Sequence, residues 1–187
     1  MLIRTCRFKA CSVEKGTGVY MIALQIKSVK NFMAKFLASD TFDLFLLEEA
    51  SVTTATVFSI DGHQIKEFYT SEEWEDASVR PYDLIEWAKM RDLVFSLIKG
   101  KHTPVNFKFV LHVKPEHVAS ILEKGDTAVT PDQIRAFVLT VKYDGSSLSL
   151  ITATAAHSFL LDKTPDNLWD QAIRRFMDKT GLEFEEV

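Results

Sequence analysis

The side chains in this sequence best suited to metal binding or acid–base catalysis are five histidines, His63, His102, His112, His117 and His157. Only His112 and His117 are close in sequence, and the pattern puts the first on a strand and the second on the following helix. That spacing matches no standard pair of zinc ligands. His63 follows the turn-like pair Asp61-Gly62, where we expect a solvated side chain. The histidines therefore predict neither a metal site nor a cofactor.

Adjacent glutamates occur three times, at Glu48-Glu49, Glu72-Glu73 and Glu185-Glu186. Adjacent residues of a strand point to opposite faces, so such pairs do not form the acid and base of a catalytic site. The sequence also has no nucleophile elbow, no P-loop and no dinucleotide-binding fingerprint. We predict no catalytic residue from any motif. An enzyme whose site is dispersed along the chain remains an open alternative.

Basic residues on predicted helices form the one charged pattern that suggests a binding role. Lysines flank the first helix, and lysines with one arginine accompany the second. Helices that expose such side chains can follow a phosphate backbone. The predicted nucleic-acid-facing residues are Lys27, Lys30, Lys35, Lys89, Arg91, Lys99 and Lys101. Solvated helix faces, with basic residues placed near a helix C-terminus, explain the same pattern without a function.

Composition indicates an ordinary globular protein. Of 187 residues, 47% are hydrophobic and 26% charged, which is enough to bury a core without disulfides or metal. The net charge of −4 provides no global positive field for nucleic acid or an anionic membrane. Cys6 and Cys11 are the only cysteines, and we predict reduced thiols. No apolar stretch reaches the roughly 20 residues of a membrane span, and no signal peptide is recognisable, so we expect a cytoplasmic protein without membrane contact.

Periodicity divides the chain into alternating strands and helices that begin near Met21. Residues 1–20 are basic and poorly patterned, and we expect an extension outside the domain. The predicted elements are strand 22–26, helix 28–39 capped by Ser28, strands 42–47 and 50–60, an Asp61-Gly62 hairpin to strand 64–69, a turn or short helix at 71–76, strand 79–84, helix 85–98, strand 105–113, a helix from Pro115 to Gly125, a loop at 126–133, strands 137–143 and 148–159 around Asp144-Gly145, a helix from Thr164 to Gly181, and a frayed tail at 182–187.

These elements predict an α+β fold in which helices cover one side of an antiparallel sheet. Residues 21–187 form one domain, and two stretches share an order of elements, 21–84 and 105–187. Each stretch contains a strand, a helix and further strands around an Asp-Gly turn. The order indicates two βαβββ pseudo-repeats, although chance similarity explains it as well.

Several segments resemble a family of uncharacterised proteins of gut Firmicutes. They are the Phe-rich run from Asp40, Ile60-Asp-Gly with Glu67-Phe-Tyr, Ile98-Lys-Gly-Lys-His-Thr-Pro, and Leu161-Asp-Lys with Leu168-Trp-Asp. The resemblance extends from Met21 to Phe184. It implies no activity and adds no site.

The repeated order of elements is also similar, at the level of fold, to one domain of the DNA sliding clamps. That resemblance implies outward-facing sheets and basic helices turned towards duplex DNA, although no sequence motif of the clamps is matched. The leading hypothesis is a non-enzymatic, clamp-like protein of replication or repair that binds DNA or a replication or repair protein. The first alternative is a protein–protein adaptor anchored by exposed Phe42, Trp74 or Trp87. The second is the enzyme with a dispersed site. The oligomeric state is open.

Overall fold

The computed structural model of the chain describes residues 21–187. The predicted extension at residues 1–20, with both cysteines, lies outside the described residues. The helices and strands in chain order are β1 (Ala23–Ile26), α1 (Val29–Ala38), β2 (Phe45–Thr53), β3 (Val57–Asp61), α2 (Ser71–Glu75), β4 (Ile85–Glu86), α3 (Trp87–Ile98), β5 (Asn106–Val113), α4 (Pro115–Leu122), β6 (Ile134–Tyr143), β7 (Leu148–Ala156), α5 (Thr164–Thr180) and β8 (Phe184–Glu186).

One antiparallel sheet contains all eight described strands, in the order β3-β2-β5-β6-β7-β1-β8, with the short β4 also paired to β2. The helices pack on one side of it, so the predicted α+β class and the one-sided helical layer are confirmed. Strand alternation explains the arrangement. Phe107, Phe109, Leu111 and Val113 of β5 are buried under the helices, and the residues between them face the other side.

The core is rich in aromatic rings between sheet and helices. Phe36 stacks on Trp87 with ring centroids 4.2 Å apart and meets Phe109 edge to face at 5.2 Å. The indole N–H of Trp87 donates to the carbonyl oxygen of Phe36 at 3.2 Å, which satisfies the one polar atom of a fully buried ring. Phe42 belongs to the same cluster and is fully buried. The prediction that Phe42 and Trp87 are exposed anchors is therefore wrong.

The region 42–69 departs most from the prediction. Residues 42–47 and 50–60 were expected to be separate strands, but β2 runs unbroken from Phe45 to Thr53 through a β-bulge at Glu48. The bulge changes the alternation, so that Leu47 and Ala50 both face the core. The turn lies instead at residues 54–56, between β2 and β3.

Asp61-Gly62 makes no hairpin, and the expected return strand 64–69 contains a 3-10 turn at Lys66–Phe68. Gly62 does not have a positive φ. A Cβ at this position would overlap the carbonyl oxygen of Leu47, so glycine is required here because another backbone approaches closely. The strand expected at 79–84 is reduced to a single bridge between Leu84 and His63, followed by β4.

The C-terminal residues are ordered rather than frayed. Gly181 ends α5 with a φ of 66°, and the amide N–H of Leu182 donates to the carbonyl oxygen of Met177 at 3.0 Å. Leu182 is buried, and β8 pairs with β1 at the sheet edge. Gly100, in contrast, lies outside the left-handed region and does not end α3 in this way.

The two predicted pseudo-repeats differ in how their strands pair. In the second, β5 pairs with β6, whereas the corresponding strands of the first, β1 and β2, lie four positions apart in the sheet order. β1 pairs instead with β7 and β8. The shared order of elements therefore does not produce equivalent pairing, and an origin by duplication stays a prediction.

Candidate functional site

A groove between α1 and the end of α3 brings together three of the seven predicted basic residues. We call it the α1–α3 groove; its volume is about 570 Å³. Its lining residues are Val29, Lys30, Met33, Ala34, Leu37, Ala38, Phe95, Ile98, Lys99, Gly100, Lys101, His102, Thr103, Pro104, Phe107 and Tyr143. The size lies within the range of ligand-binding clefts.

Helix α1 forms one wall because it has two apolar stripes. Phe32 and Phe36 face the core, and Ser28 caps the helix by accepting from the amide N–H of Asn31. Val29 and Met33, one helical turn apart, continue the apolar surface round the helix into the groove. Leu37, another turn along, is buried beneath it.

The floor and opposite wall come from the sheet and from α3. Phe107 of β5 stacks on Tyr143 of β6 with ring centroids 5.0 Å apart, which fixes both rings at the base of the groove. Phe95 and Ile98 of α3 add apolar side chains, and Phe95 is 39% exposed. The segment that follows α3 then folds over one end of the groove. The groove is therefore apolar in its interior.

Three lysines, Lys30, Lys99 and Lys101, supply charge at the rim. Within residues 21–187, none of them forms an ion pair with a carboxylate. The ammonium of Lys99 lies 5.6 Å from the ring centroid of Phe95. Lys99 and Lys101 follow the C-terminus of α3, where the helix dipole favours positive charge.

Lys30, in contrast, lies near the N-terminus of a helix. It occupies the first turn of α1, which contains no acidic residue, so the partial positive charge of the helix N-terminus disfavours its ammonium. Helix stability therefore gives no reason for a lysine here. A bound anionic group would supply one.

The other four predicted residues lie elsewhere. Lys27 pairs with Glu185 at 3.2 Å and Lys89 with Glu86 at 2.7 Å. The guanidinium of Arg91 donates to Asp43 at 2.6 Å and to the carbonyl oxygen of Ser39 at 2.5 Å, which ties α3 to the turn before β2. Lys35 lies in the last turn of α1 and does not line the groove.

Sequence reasoning found the basic rim but missed the apolar interior. Phe95 and Ile98 were visible as apolar residues of the second helix, yet only tertiary structure shows that they face α1. Of the expected aromatic anchors, only Trp74 reaches the surface, and it is half-buried under the guanidinium of Arg80, 3.9 Å from the ring centroid.

The family comparison covers most of the molecule. Residues 35–185 match the model of a family of unknown function, DUF5721. The chain belongs to the DUF5721 family. A search of the curated proteins found no match to this DUF5721 protein, and a search of the solved structures also found none. The match includes the α3 side and floor of the groove, together with the last four residues of α1.

No helix within residues 21–187 has the length and apolar character to cross a membrane. In the same residues, no three histidine, cysteine or carboxylate side chains are grouped so that they could hold a metal ion.

Proposed function

We propose that this DUF5721 protein is a non-catalytic binding protein whose α1–α3 groove takes the apolar face of an acidic, amphipathic peptide helix. One observation carries the proposal. An apolar groove is rimmed by three lysines that have no carboxylate partner among the described residues.

The apolar interior supports a peptide helix as the occupant. Neighbouring apolar side chains exposed in one concave surface are typical of interaction sites. Amphipathic helices bind such grooves through residues spaced at i, i+3, i+4 and i+7. The groove follows the ten residues of α1, which span about 15 Å at 1.5 Å per residue. That length accommodates nearly three turns of a partner helix.

The charged rim supports an acidic partner. Lysines at the edge of an interface attract a negatively charged partner and reject a positively charged one. The same argument weighs against residues 1–20 of this chain as the occupant. That segment contains four lysines and arginines but only one acidic residue, so it would place like charges at the rim.

Duplex DNA in a clamp-like role remains the alternative, on the strength of the fold-level resemblance and the basic helices. A surface that follows phosphates needs cations along its length. Here Lys27, Lys89 and Arg91 are already paired with carboxylates, and the three lysines of the groove rim surround apolar side chains. This pattern favours a peptide over a nucleic acid. A replication or repair protein that presents such a helix would be compatible with both the peptide-binding proposal and the clamp-like hypothesis.

Fluorescence anisotropy with a labelled model peptide tests the proposal. The peptide carries leucine and phenylalanine at i, i+3, i+4 and i+7 and glutamates on both flanks. One control peptide has the same composition in an order without an apolar face, and a second has lysines in place of the glutamates. Labelled duplex DNA is measured in parallel at low and near-physiological salt.

Charge-reversal variants locate the binding surface. We expect K30E, K99E and K101E each to weaken peptide binding by roughly three- to tenfold, the effect of about 0.6–1.4 kcal/mol. The matched control is K142E, because Lys142 is exposed on β6 and alternates with the buried Val141, so it faces away from the helices. Equal binding of both glutamate peptides would contradict the proposal. DNA binding that exceeds peptide binding and is lost in the same variants would favour the clamp-like alternative.

A further inference from the structure

A second cleft lies on the side of the sheet that faces away from the α1–α3 groove, and it shares no lining residue with the groove. Its volume is about 400 Å³, and we call it the bulge cleft. Polar side chains that are distant in sequence meet here: Glu48, His63, Arg80, Tyr82, Asp83, His112 and Arg135.

Two β-bulges direct charged residues into this cleft. In β2, Leu47 pairs with Leu111 and Glu49 with Val110, so Glu48 is the extra residue. In β6, Ile134 pairs with Ala156 and Ala136 with Ala155, which leaves Arg135 as the extra residue. Bulges reorient side chains and are over-represented next to active sites. Two bulges that place opposite charges in one cleft are an independent reason to regard it as a site.

Glu48 is held in place from two directions. Nε2 of His112 lies 2.7 Å from Oε2 of Glu48, and the histidine side chain is only 13% exposed against 32% for the carboxylate. The amide N–H of Gly62 donates to the carbonyl oxygen of Glu48 at 2.9 Å. The histidine thus fixes one carboxylate oxygen, and Oε1 remains to accept from a ligand.

The two arginines of the cleft differ in their availability. Arg80 pairs with Asp83 at 2.6 Å and donates to the carbonyl oxygen of Trp74 at 3.1 Å, so its guanidinium is engaged. Arg135 is exposed, and no carboxylate within residues 21–187 forms an ion pair with it. Arginine suits a ligand carboxylate because its planar fork donates two parallel hydrogen bonds.

One wall of the cleft is fastened to α4. The hydroxyl of Tyr82 donates to Glu116 at 2.8 Å. Burial and the neighbouring Glu116 raise the pKa of Tyr82 to about 12, so the phenol keeps its proton at physiological pH. Leu46 and Leu84 supply buried apolar surface between the charged groups.

We propose that the bulge cleft binds a small zwitterion of the amino-acid class, with the ligand carboxylate on Arg135, its ammonium on Glu48 and an apolar side chain against Leu46 and Leu84. A simple anion fits less well because the Glu48 carboxylate would repel it. A simple cation meets the same objection from Arg135. The proposal is independent of the peptide groove and concerns a different face of the molecule.

Titration calorimetry with leucine, two of its analogues and inorganic phosphate tests this assignment. N-acetyl-leucine lacks the ammonium, leucinamide lacks the carboxylate, and inorganic phosphate stands for a simple anion. We expect leucine to bind and both analogues to bind at least about tenfold more weakly, since each loses one charged contact. Phosphate that binds as well as leucine, or leucine that fails to bind, would overturn the proposal.

Variants assign each contact. R135Q is expected to remove the preference for leucine over leucinamide, and E48Q the preference for leucine over N-acetyl-leucine. R175Q is the matched control, because Arg175 is exposed on α5 and is expected to leave both preferences intact. The comparison between analogues on the unaltered protein does not depend on how any variant folds. Preferences that persist in R135Q and E48Q would show that the charged contacts are misassigned.

Discussion

Lys30 allows stability and binding to be separated within one helix. It lies in the first turn of α1, where an ammonium is unfavourable with the helix dipole, and its substitution by glutamate places a favourable charge there. Each charge at a helix terminus contributes about 0.3–1 kcal/mol. We therefore expect K30E to raise the free energy of unfolding by about 0.5–1.5 kcal/mol, which corresponds to roughly 1–6 °C in Tm for a chain of this size.

Lys35 provides the matched control on the same helix. It lies in the last turn, where an ammonium is favourable, so K35E is expected to lower the free energy of unfolding by a comparable amount. Both values come from urea denaturation at low salt. The difference between the variants should shrink in 1 M NaCl because surface charge interactions are screened.

Stability and peptide affinity, measured on the same two variants, together test the role of Lys30. K30E is expected to be more stable than the wild type and to bind the acidic peptide more weakly, whereas K35E is expected to be less stable and to bind normally. Loss of stability in K30E would refute the dipole argument. A stable K30E that binds the peptide as tightly as the wild type would refute the role of Lys30 in the groove.

Three further predictions concern other parts of the molecule. G62A is expected to lower the free energy of unfolding by more than about 3 kcal/mol, since its methyl group would overlap a backbone carbonyl of β2, whereas G100A should change it by less than about 0.5 kcal/mol; chemical denaturation measures both. Y82F removes the hydrogen bond to Glu116 and should cost about 1 kcal/mol at pH 7. The folded-state pKa of Tyr82 is raised from 10 to about 12, so its contribution to the free energy of unfolding is present below pH 10 and is lost as the pH rises to 12. The free energy of unfolding of Y82F should therefore fall less between pH 10 and 12 than that of the wild type. Parallel pH profiles of the two proteins would contradict this. Burial raises the pKa of Asp170 above its ordinary value of 3.8, so D170N should stabilise the protein at pH 7. That advantage should shrink as the pH falls through the raised pKa and be absent below 3.8; thermal unfolding at pH 7 and below pH 3.8 measures this, and an advantage that persists in acid would contradict it.

Periodicity carried enough information to predict the α+β class and much of the sheet. The strict alternation of β5 and the Asp144-Gly145 turn between β6 and β7 are local signals, and the structure confirms both elements. Ser28 and Gly181 likewise mark helix ends through their own side-chain and backbone preferences. Local chemistry determines these features, so the sequence reveals them.

The mispredicted features depend on contacts between distant residues. Asp61-Gly62 has the composition of a hairpin, but Gly62 is required by the approach of β2 and not by a turn conformation. The bulge at Glu48 is similarly invisible in the sequence, because it is defined by the strand opposite. The tail was expected to fray because it is acidic, yet β1 offers it an edge for pairing.

In the candidate sites, too, some features follow from local sequence and others from contacts between distant residues. The lysines of the groove rim were identifiable as basic residues on helices, but their position around an apolar interior depends on how α1 packs beside α3. The bulge cleft gave no sequence signal at all, since Glu48, His112 and Arg135 belong to three different strands. Adjacent glutamates were expected to point to opposite faces of a strand, and the bulge at Glu48 interrupts that alternation.

The most direct test of the proposed function is to map the bound peptide onto the protein. ¹H–¹⁵N correlation spectra of the labelled protein, recorded during titration with the acidic amphipathic peptide and then with duplex DNA, report which amides change. We predict changes concentrated in α1, at the end of α3 and in the segment 99–107, with none for the order-scrambled peptide. Changes confined to the opposite face of the sheet, or changes along the basic helices with DNA alone, would contradict the proposal that the α1–α3 groove binds a peptide.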